Sequence, residues 1–140
     1  MRTLHIGLRV ADRERSLAFY AALGYEVVGS VDATALGDLT MIKLPDDPFV
    51  TIELVSGSSA TASGAGDSLS HFVVKVESMD TVVAELAAAG IHPDEPAASP
   101  DGSDEFRTAW ITDPDGNRIE LVQWPSDHPD GMTAADFSDD

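Results

Sequence analysis

The sequence predicts an α+β fold made of two tandem βαβββ modules, and three observations support that prediction. The tetrapeptide Ile-Glu-Leu-Val occurs at Ile52 to Val55 and again at Ile119 to Val122. Each copy closes a segment that opens with a histidine on an apolar strand: His5 and His71 are 71 − 5 = 66 residues apart, and Glu53 and Glu120 are 120 − 53 = 67 apart. The hydrophobic patterns in between recur in the same order. A period near half the chain length means two copies of one supersecondary unit packed together, because a solenoid needs about three or more repeats.

The first module spans residues 1–55. Leu4, Ile6, Leu8 and Val10 alternate with His5, Gly7 and Arg9, the period-2 pattern of a strand with one apolar face. A helix follows from about Asp12 to Leu23, with Asp12 as N-cap, Leu17, Tyr20 and Ala21 at helical spacing, and Gly24 just past the end. Strands are expected near Tyr25 to Val31, Ala35 to Leu44 and Phe49 to Val55, the last two joined by the turn Pro45-Asp46-Asp47-Pro48. Residues 56–69 are rich in Ser, Gly, Ala and Thr without periodicity, the composition of a flexible linker.

The second module, residues 70–124, repeats that order. Ser70 to Glu77 reads as a strand, Ser78 caps a helix running through Ala89, Gly90 ends it, and Ile91 to Glu95 has the pattern of a short strand. Phe106 to Thr112 and Arg118 to Trp124 form a hairpin around Asp113-Pro114-Asp115-Gly116-Asn117, since Pro and Asp-Gly supply turn geometry. Residues 125–140 read as an irregular, solvated acidic tail.

Alternation places His5, Gly7 and Arg9 on one face of the first strand and Thr51, Glu53 and Val55 on one face of the fourth. His71, Val73 and Lys75, and Glu120, Val122 and Trp124, repeat the arrangement. All four candidate ligands, His5, Glu53, His71 and Glu120, therefore lie on the face away from the helices. Strands curving into a half-barrel would line a cleft with them. A single His or Glu on a polar strand face is ordinarily just solvated. A duplicated His and Glu in equivalent places points instead to metal ligation.

Composition narrows the chemistry. There is no cysteine, so disulfides, Fe–S clusters and thiolate-bound metals are excluded and a metal site must use nitrogen and oxygen donors. A net charge of −17 opposes nucleic acid and anionic membranes as partners. No apolar leader or membrane-spanning run is present, so the expectation is a soluble, cytoplasmic protein.

The sequence resembles the vicinal oxygen chelate superfamily, which comprises glyoxalases, bleomycin-resistance proteins and extradiol dioxygenases, over about residues 3–124. The resemblance rests on Leu4-His5-Ile6-Gly7-Leu8-Arg9-Val10, on Arg15-Ser16-Leu17-Ala18-Phe19-Tyr20 with the Leu23-Gly24 helix end, and on Asp113-Pro114-Asp115-Gly116-Asn117-Arg118-Ile119-Glu120. The set His5, Glu53, His71, Glu120 looks most like glyoxalase I, the lactoylglutathione lyase branch. That likeness implies a divalent ion (Ni, Zn, Co, Mn or Fe), a low-molecular-weight thiol as co-substrate, a small-molecule substrate and a homodimer. It also implies that Glu120 is the principal proton-transferring base, with Glu53 its pseudo-symmetric counterpart.

Two imidazoles and two carboxylates suit a Lewis-acidic divalent ion that stabilises an enediolate while a carboxylate moves the proton between adjacent carbons of a hemithioacetal. By the same resemblance Arg9 binds a carboxylate of the thiol, as its planar fork allows; its ordinary alternative is an ion pair with one of the many acids. Arg107, Trp110 and Trp124 are further candidates for substrate contact. After Glu53 the chain runs Leu54-Val55-Ser56-Gly57-Ser58 where glyoxalase I usually has an asparagine, which leaves the thiol open. Two other functions fit the same fold. One is a metal-free protein that sequesters an aromatic metabolite or drug between Phe106, Trp110 and Trp124; the other is an extradiol-type dioxygenase. His92 and His128 are expected to be exposed and unliganded.

Overall fold

The computed structural model describes residues 2–57 and 69–137. The chain divides into two compact units, Met1–Leu69 with Asp113–Asn117, and Ser70–Thr112 with Arg118–Asp140. The linker expected from composition falls almost wholly on residues 58–68 and lies outside the described residues.

In the first unit β1 (Ile6–Arg9) leads into α1 (Arg13–Leu23), followed by β2 (Glu26–Thr34), β3 (Gly37–Lys43) and β4 (Ile52–Ser56). The sheet order is β1-β4-β3-β2, with β1 parallel to β4 and the other pairs antiparallel. Asp12 caps α1 by accepting the Arg15 amide at 3.1 Å, and Gly24 ends it in the left-handed conformation at φ 110°. Gly37 is required on two counts: its φ is 124°, and a Cβ there would meet the Ser56 carbonyl oxygen at 2.5 Å.

The core of this unit contains Leu8, Val10, Tyr20, Ile42, Ile52 and Leu54. Burying each large aliphatic side chain contributes about 1.5–3 kcal/mol. Leu4 and Ile6, expected beneath the helix, are instead 56% and 37% exposed. Helix α1 also buries Ser16 and Tyr20 rather than the expected set of Leu17, Tyr20 and Ala21. The reason is the turn Asp113–Asn117, which belongs to this unit. Asp115 accepts from the Ala11 amide at 2.9 Å and from the Ser16 hydroxyl at 3.2 Å, and Tyr20 Oη donates to Asp113 Oδ2 at 2.7 Å. Burial, and then the Asp113 carboxylate, push the Tyr20 phenol far above its ordinary pKa.

In the second unit β5 (His71–Lys75), α2 (Met79–Ala88), β6 (Arg107–Thr112) and β7 (Arg118–Gln123) give a sheet of order β5-β7-β6. Ser78 caps α2 as expected, accepting the Thr81 amide, and the Gln123 side chain anchors the helix start by accepting the Met79 amide at 2.7 Å. The short strand expected at Ile91 to Glu95 is absent among the described residues. Pro93 and Pro96 interrupt that stretch and cannot donate to a ladder. What survives is one bridge, Ala98 to Thr108, and a 2.9 Å bond from the Asp94 amide to the Trp110 carbonyl. The second module is thus βαβββ-like, its extra strand reduced to that edge. Among the described residues no helix is long and apolar enough to cross a membrane.

Candidate metal and substrate site

The first His/Glu pair is built by the parallel pairing of β1 with β4. Gly7 lies opposite Glu53, and His5 is two residues earlier on the same face. Because Ile52 and Leu54 point into the core, Glu53 points to the other side. Its Oε2 lies 3.5 Å from His5 Nε2, with the glutamate 18% and the histidine 41% exposed. Two ligands of a common ion with bonds of about 2.1 Å are separated by roughly 3–3.5 Å, so this pair of donors fits half of a divalent-metal site. A Cβ at Gly7 would stand in ordinary contact with Val55 Cγ2 at 3.9 Å and the Glu53 carbonyl oxygen at 4.0 Å. Arg9, opposite Val55 on the same strand, is exposed and makes no ion pair among the described residues.

The second pair repeats the register. Val73 lies opposite Glu120, and His71 is two residues earlier. Its surroundings differ from those of the first. Across from Glu120 stands Trp110, where Met41 faces Glu53 in the first copy; across from His71 stands Arg118, at the place of Thr51. The His71 ring meets Trp110 edge-on at 4.9 Å, and Ser70 Oγ lies 3.0 Å from His71 Nδ1, leaving Nε2 for a ligand. The Arg118 guanidinium sits 5.0 Å over the Trp110 ring and pairs with Asp94 at 3.1 Å. Arg118 was not among the sequence candidates, although its place two residues before Glu120 put it on the same face. Among the described residues of one chain, no three His, Asp or Glu side chains gather closely enough to hold a metal ion.

The remaining candidates are placed elsewhere. Arg107 stands two and four positions before the buried Ala109 and Ile111, so it shares their face of β6, away from Trp110, and pairs with Asp80 of α2 at 3.5 Å. Trp124, just beyond β7, stacks on Phe106 at 5.2 Å and on His128 at 4.1 Å, both nearly parallel. His92 is exposed. His128, expected to be exposed and unliganded, is instead largely covered: its side chain is 16% exposed, and Nε2 and Nδ1 lie 2.7 Å from Asp136 and from the Pro129 carbonyl. The tail is likewise less free than its composition implies. Asp130 pairs with Lys75 at 2.7 Å, and Ala134–Phe137 form a 3-10 turn.

These contacts make the tail pH-sensitive. The Asp136 bond, then the Pro129 carbonyl, raise the His128 pKa; the Thr133 amide, then His128, lower that of Asp136. The histidine's contribution is complete below its ordinary value of about 6.5 and is lost as pH rises through the raised one. The Asp136 contribution is complete above about pH 4 and is lost as pH falls through the lowered value. In a Trp110→Phe background, Trp124 emission should therefore be most quenched between about pH 4 and 6.5 and recover toward alkaline pH. His128→Asn should abolish the alkaline transition. An unchanged transition in that variant would assign it to another group.

Comparison with known proteins bears on the family and the fold. A family model described as the Glyoxalase/Bleomycin resistance protein/Dioxygenase superfamily matches residues 2–121. The lactoylglutathione lyase of Salmonella typhimurium is 27% identical over 126 residues, 88% of this chain and 93% of that protein. Among solved structures, the trypanothione-dependent glyoxalase I of Leishmania major is 28% identical with a TM-score of 0.67, covering 88% of this chain and 86% of its own. A glyoxalase family protein of Enterococcus faecalis shares the fold with a TM-score of 0.70 at 24% identity, over 87% of this chain and 97% of its own.

Proposed function

Since this chain belongs to the glyoxalase/bleomycin resistance protein/dioxygenase superfamily, we propose that it is a metal-dependent lyase of the glyoxalase I type. In this reading it converts the hemithioacetal of a 2-oxoaldehyde and a small thiol into a 2-hydroxyacyl thioester. The observation that carries it is the His/Glu pair repeated in one register, Gly7 to Glu53 and Val73 to Glu120, with the first pair's donors 3.5 Å apart. Distant similarity to lactoylglutathione lyase supports the same branch.

His5, Glu53, His71 and Glu120 would hold the ion. When bound, it would supply a Lewis acid for the oxygen of the reacting group. The chain's own residues do the rest. Glu120 takes the proton from the hydroxyl-bearing carbon next to sulfur and returns it to the neighbouring carbon while the hydroxyl proton passes to the neighbouring oxygen, so the substrate is isomerised with no atom gained or lost. Glu53 faces the same reacting group from the pseudo-symmetric position. Arg9 holds a carboxylate of the thiol through its planar fork. Two half-sites of one His and one Glu suit a C2 homodimer in which each half-site meets the other kind from the partner.

Complementation tests both the metal set and the assembly. His5→Ala and His71→Ala should each be inactive with methylglyoxal and a panel of thiols. Mixed and reassembled, they should regain about a quarter of wild-type turnover, because half the dimers are hybrid and each hybrid has one intact site. An active wild type whose variants show no such rescue would place the site within one chain. Wild-type protein that binds no divalent metal and turns over none of the adducts refutes the lyase reading.

A further inference from the structure

The two histidines stand in equivalent places in the two modules, yet their neighbours differ. His5 Nε2 lies 3.5 Å from Glu53 Oε2. His71 meets two other groups: Ser70 Oγ lies 3.0 Å from its Nδ1, and the Trp110 ring packs against it with centroids 4.9 Å apart and planes at 73°. At the positions of Ser70, Trp110 and Arg118 the first module has Leu4, Met41 and Thr51. The contacts of His71 are therefore not a consequence of the duplicated scaffold.

Trp110 is itself fixed by a closed ring of contacts. The Asp94 amide donates to the Trp110 carbonyl at 2.9 Å, and the Asp94 carboxylate, reached by Thr112 Oγ1 at 3.3 and 3.4 Å, pairs with Arg118 at 3.1 Å. The Arg118 guanidinium returns to lie 5.0 Å over the Trp110 ring. With the Arg118 and Asp94 side chains 48% and 38% exposed, that ion pair adds little to fold stability. Its effect is to limit rotation of the indole, and through the indole that of the imidazole packed against it. An imidazole also has a free lone pair on one nitrogen only when the other holds the proton, and the bond made by that other nitrogen decides which. When Nδ1–H of His71 donates to Ser70 Oγ, the lone pair is on Nε2.

We propose that Ser70, Trp110 and Arg118 are positioning residues for His71: Ser70 selects the tautomer with its lone pair on Nε2, Trp110 sets the plane of the ring, and Arg118, anchored by Asp94, holds Trp110. The proposal rests on the metal-dependent reading, in which His71 is a ligand. It makes the two half-sites unlike in how they are prepared, the first by the approach of its own His and Glu and the second by neighbours outside the ligand set.

Calorimetric titration of the metal-stripped full chain with Co²⁺, and nitrogen NMR of the same protein with labelled histidines, test the assignment without recourse to turnover. The neutral His71 ring of wild type should carry its proton on Nδ1. Ser70→Ala should shift that proton toward Nε2 and weaken Co²⁺ binding about tenfold, the lower end of what partners of a histidine ligand contribute. Trp110→Leu should weaken binding by about the same factor and leave the tautomer unchanged, while Trp110→Phe, which keeps a flat ring, should recover most of the loss. Arg118→Gln should cost about threefold, as an exposed cation–π contact does, and nothing more once Trp110 is Leu, because it acts through that ring. Wild-type affinity in both Ser70→Ala and Trp110→Leu, a proton on Nε2 of His71 in wild type, or an Arg118→Gln loss that persists in the Trp110→Leu background would overturn the proposal. Tight Co²⁺ binding that none of these variants weakens removes the positioning role and leaves the lyase reading intact. Wild-type protein that binds no Co²⁺ overturns both.

Discussion

Replacement of Glu120 by Gln is expected to reduce turnover of the hemithioacetal by about 10² to 10⁴, the usual cost of losing one positioned general base. A carboxamide oxygen can still occupy a ligand position, but it cannot accept the proton from carbon. Metal content and KM should therefore change much less than kcat. Glu53→Gln should cost less, because the two glutamates, equivalent in register, differ in surroundings: Glu120 is flanked by Val73 and Trp110, Glu53 by Gly7 and Met41. The bulkier neighbours confine the Glu120 side chain more closely and hold it in position for proton transfer. Steady-state kinetics at matched metal loading, with circular dichroism to establish folding, separates these outcomes. A larger loss in Glu53→Gln than in Glu120→Gln would move the base to the first module.

The pairing that places both glutamates was legible because a strand's period of two has no slack. Once Ile52 and Leu54, or Ile119 and Leu121, are assigned to the core, the glutamate between them must face the other way. The same alternation carried information about Arg107, which shares a face with Ala109 and Ile111. Contacts that depend on a partner distant in sequence were not legible. Ser16 replaces Leu17 on the buried face of α1 because a turn about a hundred residues later brings Asp115 to it. Likewise Arg118 gains its meaning from Asp94 and Trp110, neither of which periodicity connects to it. The tail shows a different blindness: His128 and Asp136 are close in sequence, yet polar residues outside a regular element carry no periodic signal. Ile91 to Glu95 had a strand-like pattern, and two prolines, one within it and one at its edge, outweighed it.

The largest stability loss is expected at the turn on which the family resemblance partly rests. Asp113 is 4% exposed and its carboxylate accepts four bonds: Tyr20 Oη at 2.7 Å, the Asn117 amide at 2.7 Å, Asn117 Nδ2 at 2.9 Å and the Asp115 amide at 2.9 Å. Tyr20 has no exposed surface, so its hydroxyl has no solvent to turn to if that acceptor is lost. Asp113→Ala removes all four bonds and leaves a buried phenol and a buried carboxamide with donors to satisfy, at a cost on the order of 3 kcal/mol or more. For a chain of this length the thermal midpoint should fall on the order of 10 °C. Tyr20→Phe removes donor and acceptor contact together while keeping the ring packed edge-on to Tyr25 and Phe19, and Asp113 retains its three other donors. Its cost should be roughly 1 kcal/mol. Urea and thermal unfolding of both variants measure the difference. Equal losses would mean that the tyrosine bond carries the whole contribution and that the turn closes without Asp113. A loss confined to Asp113→Ala would assign the contribution to its bonds within the turn, from the Asp115 and Asn117 donors, and none to the bond that ties the turn to the first helix.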